Sequence, residues 1–140
     1  MAYYVETSAL AKLVLNEAET PALLSWLTDQ TQTPATSSLA RAELLRTVNQ
    51  HSPGQADHAL EILDSITVMR LTSDVLTLAG TIKPDALRTL DAIHLAAALD
   101  LEDDLEGMVT YDTRLAEAAN LHGITVITPG GDRSWDDRAC

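Results

Sequence analysis

A chain of 140 residues, 46% of them hydrophobic, fits one domain around a single core and buries roughly two-thirds of its unfolded surface. Aromatics make up only 4% and Phe is absent, so Leu, Val, Ile and Ala must fill that core. The formal net charge of -12 excludes nonspecific attraction to a polyanion, although local arginines or a bound cation can reverse the potential at one site.

Tyr3 to Glu6 reads as a short strand that ends at Thr7 and Ser8, whose hydroxyls can cap a helix from Ser8 to Leu15. Pro21 suits the first turn of a second helix, in which Leu23, Leu24 and Leu27 repeat at helical spacing until about Asp29. Gln32 to Ser37 contains Pro34, which predicts a strand near a sheet edge, and Ser38 then caps a helix from Leu39 to about Gln50. After a turn at Ser52 to Gly54, Gln55 to Leu63 gives an amphipathic helix and Ile66 to Met69 a strand. Helix resumes from Thr72 to Gly80. Lys83-Pro84-Asp85 interrupts the chain before Thr89 and the Ala-rich and Leu-rich helix that carries Asp91.

The acidic group from Asp100 to Glu106 has neither the order nor the closing Glu of a calcium loop and reads as a solvated connection. Met108 to Tyr111 is then a strand, Arg114 to Leu121 a helix and Ile124 to Ile127 the last strand. We take residues 1–128 as the domain and residues 129–140 as a flexible C-terminal tail. Strands separated by helices predict an α/β fold, a parallel sheet covered on both faces.

Four acids lie among apolar residues, where an uncompensated charge is costly: Glu6, Glu43, Asp91 and Asp112. Glu6 and Asp112 close predicted strands, and ligands of such sheets bind beyond the carboxyl ends of the strands. Gathered in one cleft, four carboxylates need protons or a cation, and oxygen-only ligands suit Mg²⁺ or Mn²⁺. A cation there lowers the pKa of water and neutralises charge on a phosphodiester, which serves phosphate-ester hydrolysis. Thr7, Ser8 and Thr110 add hydroxyls able to support the site, and Arg114 can grip a phosphate.

Each acid also has an ordinary structural reading. Asp91 can simply favour a helix dipole, Glu43 can face solvent near Arg46, and Asp112 can cap the last helix while also serving the site. His94, one turn beyond Asp91, reads as a hydrogen-bonded core residue and is left out of the site. Leu23, Trp26, Leu27, Leu44, Leu45 and Val48 read as core, part of which can instead form a groove for a partner helix.

The segments around the four acids, Val5-Glu6-Thr7-Ser8-Ala9-Leu10, Ala42-Glu43-Leu44, Leu90-Asp91-Ala92-Ile93-His94-Leu95 and Val109-Thr110-Tyr111-Asp112-Thr113-Arg114-Leu115, resemble the four acidic motifs of PIN-domain ribonucleases. The resemblance runs from about residue 2 to residue 128, and at this length it points to the VapC-type toxins of toxin-antitoxin pairs. It implies a PIN-like three-layer sandwich with a five-stranded parallel sheet and Mg²⁺- or Mn²⁺-dependent endonucleolytic cleavage of RNA. It also implies a homodimer, inhibition by a VapB-type antitoxin, and contact with operator DNA only through that antitoxin. The family has Asp where this chain has Glu6, so a second expectation stands beside the first: an antitoxin-binding, operon-regulating subunit with weakened or no nuclease activity.

A phosphate-accepting receiver domain needs an Asp after its middle strand and a Lys before a late Pro, and Val68 to Leu71 and Thr128-Pro129 supply neither. A haloacid-dehalogenase-type phosphatase needs an early Asp-x-Asp, where this chain has Glu6 and Ser8. Cys140 stands alone, which leaves no internal disulfide. Without a basic-then-apolar leader or an apolar run of roughly 20 residues, we expect a cytoplasmic protein with no membrane contact.

Overall fold

The computed structural model describes residues 1–131. Five strands, β1 (Ala2–Val5), β2 (Thr33–Ser37), β3 (Thr67–Met69), β4 (Leu105–Val109) and β5 (Val126–Ile127), form one parallel sheet in the order β3-β2-β1-β4-β5. Successive strand residues point to opposite faces, so Tyr4 and Met108 enter one buried cluster while their neighbours Val5 and Val109 enter another. Strands buried on both sides require helices on both sides.

One layer holds α1 (Thr7–Val14), α2 (Thr20–Asp29), α3 (Ser38–His51) and α4 (Ala56–Asp64), packed through Leu10, Leu23, Leu44 and Leu63. The other holds α5 (Ser73–Thr81), α6 (Thr89–Leu99) and α7 (Thr113–Leu121), with Leu95 and Leu115 fully enclosed. The expected three-layer α/β sandwich is therefore the observed one. Ala96, Ala97 and Ala98 let α6 lie close to its neighbours, and burial of Leu95 contributes about 1.5–3 kcal/mol.

β1 to β3 extend in one direction and β4 to β5 in the other, so the strand order reverses between β1 and β4. Glu6 follows β1 directly, and its N–H donates to the Val109 carbonyl at 3.0 Å. The chain beyond β4 then leads to Asp112, bringing both acids to the end of the sheet where such folds bind ligands. Close pairing of β4 with β5 depends on Gly107, where a Cβ would stand 2.8 Å from the Thr125 carbonyl and 2.9 Å from Ile127 Cδ1.

Several local expectations are corrected. β2 is an interior strand, not an edge: it lies between β3 and β1. Pro34 is tolerated because β3 pairs only from Ala35 onward, leaving the proline on a stretch paired to β1 alone. The cap of α1 is Glu6, not Thr7 or Ser8, and its carboxylate accepts from the Ser8 N–H at 3.0 Å. Ser38 is the first residue of α3 rather than its cap, and Ser37 at the cap position makes no capping bond because its hydroxyl accepts from the Tyr4 phenol at 2.9 Å. At the start of the expected tail, the Pro129 carbonyl accepts from the Tyr111 hydroxyl at 2.7 Å and the Gly131 N–H donates to the Thr128 carbonyl at 3.0 Å. The rest of the expected tail, residues 132–140, lies outside the described residues.

Candidate functional site

Glu6 is buried at the switch point, and its position there is over-determined. One carboxylate oxygen accepts from the Ser8 N–H, while the other accepts from the hydroxyls of Ser8 and Thr110 at 2.5 and 2.6 Å. The Ser8 hydroxyl in turn accepts from the Tyr111 N–H at 2.8 Å, and the Asp112 N–H donates to Thr110 at 3.1 Å. The loops after β1 and β4 are thus stitched together through Glu6. Ser8 and Thr110, named from sequence as supporting groups, both touch it.

Glu43 reaches the cleft from α3. Its Oε1 accepts from the Thr7 hydroxyl at 2.7 Å and faces His94 Nε2 at 2.5 Å, while His94 Nδ1 lies 2.7 Å from the Tyr4 hydroxyl. A ring nitrogen against a carboxylate carries the proton, so Nε2 is the donor to Glu43. Burial works against the Glu43 charge, but the hydrogen bond and charge of His94 and the bond from Thr7 outweigh it and hold the carboxyl below its usual range.

His94 and Tyr4 are both buried, and burial pushes the Tyr4 phenol well above its ordinary value. The chain Ser37, Tyr4, His94, Glu43 and Thr7 is therefore a continuous polar thread through an apolar core. His94 is a hydrogen-bonded core residue, as expected, yet one of its partners is a candidate site carboxylate. The available signal was its place three residues after Asp91, on the same side of α6. Nothing in the pattern singled out Thr7 as the second partner of Glu43.

Asp91 occupies the first turn of α6, and no hydrogen bond or ion pair holds its side chain among the described residues. Its pKa is raised, first by burial and then by the charges of Asp112 and Glu6, with His94 and Arg88 acting in the opposite direction. Asp112 caps α7 through one oxygen, which accepts from the N–H groups of Arg114 and Leu115 at 3.0 and 3.2 Å. Its ordinary structural role is real, and its charge still bears on Asp91.

Three carboxylates in mutual repulsion, with hydroxyls beside them, are the donor chemistry of a hard divalent cation. The side chains as placed are looser than a finished centre. Among the described residues, no three His, Cys, Asp or Glu side chains form a group that could hold a metal ion.

An apolar cavity of about 380 Å³ lies between α1, α2 and α4, lined by Leu10, Leu13, Leu24, Leu27, Ile62 and Ile66 among others. No helix among the described residues is long and apolar enough to cross a membrane.

Comparison with known proteins agrees with this fold. A family model described as PIN domain matches residues 3–128. Ribonuclease VapC47 of Mycobacterium tuberculosis is 45% identical over 134 residues, covering 93% of this chain and 98% of the relative. Ribonuclease VapC46 of the same species is 41% identical over 129 residues, covering 91% and 98%. Among solved structures, a toxin-antitoxin complex from Klebsiella pneumoniae shares the fold with a TM-score of 0.71 at 20% identity, over 93% of this chain and 99% of that one. The chain belongs to the PIN-domain family, among the VapC-type ribonucleases.

Proposed function

We propose that this protein is the toxin of a toxin-antitoxin pair and hydrolyses RNA phosphodiester bonds with Mg²⁺ or Mn²⁺ held by Glu6, Glu43, Asp91 and Asp112. The observation that carries the reading is Asp91, whose side chain has no partner among the described residues and whose pKa is raised first by burial and then by the charges of Asp112 and Glu6. The names of the 45% and 41% identical relatives, both ribonucleases, support it. When bound, the cation supplies charge neutralisation at the phosphodiester and a lower pKa for water.

The remaining work falls to the chain. Ser8 and Thr110 hold the Glu6 carboxylate at the end of β1, and His94 and Thr7 hold Glu43 so that one oxygen is fixed and the other left for a ligand. Asp91 and Asp112 complete the acidic wall, and Arg114 beside them is placed to meet phosphate. The apolar cavity between α1, α2 and α4 suits one face of an amphipathic antitoxin helix. A homodimer, and contact with operator DNA through the antitoxin, complete the assembly we propose.

A second reading, binding without chemistry, draws on one observation: the Glu6 carboxylate is already satisfied by three donors as the cap of α1. One experiment separates the two. Purified, partner-free protein is incubated with structured RNAs in Mn²⁺, again in EDTA, and again as Asp91→Asn. Cleavage that EDTA and the substitution both abolish establishes the nuclease. No cleavage by the native chain leaves the binding subunit, and equal cleavage by the variant marks a contaminant.

A further inference from the structure

The chain is strongly acidic, so an RNA strand approaching Asp91 needs local cations. Lys12, Arg41 and Lys83 are paired with carboxylates, whereas Arg46, Arg70, Arg88 and Arg114 make no salt bridge with a described residue. Two of these unpaired arginines meet in one place. Arg88, at the cap position of α6, and Arg114, in the first turn of α7, line a cleft of about 350 Å³ together with Asp91. Both are exposed.

Opposite charge alone would describe an anion patch, but apart from Glu117 the rest of the lining is apolar. Pro84, Leu87 and Leu121 face the same cleft, and Leu121 leaves 69% of its surface exposed beside the two guanidinium groups. Glu117 also lines it and has an interaction of its own. Guanidinium heads beside an uncovered aliphatic wall match one nucleotide, with its phosphate on the arginines and its base on the wall. A base in a duplex is stacked and paired, and only an unpaired one can turn onto such a surface.

We propose that this cleft binds the unpaired nucleotide next to the scissile phosphate, with Arg88 and Arg114 on its phosphate and Pro84, Leu87 and Leu121 against its base. The proposal rests on the ribonuclease reading for the position of the scissile phosphate beside Asp91. It gives Arg88 a role that no acidic motif supplies.

The test is binding of a fluorescein-labelled single-stranded RNA of mixed sequence, followed by anisotropy in Mn²⁺ in a Glu43→Gln background that holds off cleavage. Arg88→Ala and Arg114→Ala should each weaken binding about tenfold and make the dependence of log affinity on log salt shallower by about 0.7, the share of one phosphate contact on a single strand. Lysine at either position should keep the slope. Arg46→Ala and Arg70→Ala should bind as the parent does, fully duplex RNA should compete poorly, and Mn²⁺ affinity by calorimetry should be unchanged in Arg88→Ala.

Native-like RNA affinity in both cleft variants overturns the proposal, and cleavage by the otherwise native chain then leaves the ribonuclease reading intact. Arginine-dependent binding in a protein that never cleaves RNA keeps the cleft and sinks the nuclease. Absence of any RNA binding sinks both. Equal displacement by duplex RNA or by a polyglutamate peptide reduces the cleft to a general anion patch and overturns the base-binding claim.

Discussion

The two sides of the acidic cleft are built on opposite principles. Glu6 and Glu43 are tied down by donors from Ser8, Thr110, Thr7 and His94, whereas Asp91 faces Asp112 and Glu6 with no donor among the described residues. The tied side belongs to the fold as much as to the site: it caps α1 and joins α3 to α6. The open side holds unrelieved repulsion that a ligand can remove. Stability should therefore respond in opposite directions when the two sides are altered.

The largest effect is expected at Asp91. Asp91→Asn should lower Mn²⁺-dependent cleavage at least about 100-fold, since loss of even an outer partner of a metal ligand costs 10 to 100-fold. In EDTA the same variant should melt above the native protein, because it removes a charge that its surroundings oppose. Saturating Mn²⁺ should reverse the order, as binding to the folded form alone adds about 2.7 kcal/mol at one hundred times the Kd. Thermal melts with and without the ion check this, and an order that never reverses would show that Asp91 does not serve a cation.

His94→Leu tests the tied side. It takes one partner each from the Glu43 carboxylate and the buried Tyr4 hydroxyl, so urea unfolding should show a loss of about 3 kcal/mol. Cleavage should fall as well, because Glu43 is then held only by Thr7. A loss below about 1 kcal/mol would mean that the thread through the core is slack.

Linkage gives the two sides opposite pH signatures. Glu43, held below its usual value, contributes stability that is complete above its unfolded-state pKa and is lost as pH falls through its folded one. Asp91, raised above its usual value, contributes stability that is present at low pH and lost as pH rises through its folded pKa. In EDTA, the difference in unfolding free energy between the native chain and Asp91→Asn should therefore shrink as pH falls through that titration. A difference that does not change with pH would contradict the repulsion inferred here.

The contrast between the sides also explains what could be read beforehand. Hydrophobic periodicity and caps revealed α1 to α7 but not the short 3-10 helices Pro53–Gln55 and Glu102–Asp104, and the acids stood out because each interrupts an apolar run. The interior place of β2 could not be read, because Pro34 is tolerated only through a register with β3 that its own neighbours do not encode. The donors were hidden for a related reason. Thr110 lies 104 residues from Glu6, and His94 lies 51 from Glu43, so only the crossover of the sheet brings them together. Resemblance to a family identified the four acids, but it did not say which are satisfied and which are left bare.

Glu6→Asp is the finest probe of that division. Asp is a favoured helix cap, so the bond from the Ser8 N–H should survive and stability should stay within about 1 kcal/mol. The shorter side chain draws back from Thr110, whose hydroxyl now occupies the oxygen that Ser8 also uses. Releasing that oxygen moves one carboxylate from the tied side toward the open one. Mn²⁺-dependent cleavage should then be equal to the native rate or higher. A clear fall in rate would mean that the pocket is built around the longer side chain, with Ser8 and Thr110 setting its reach rather than restraining it.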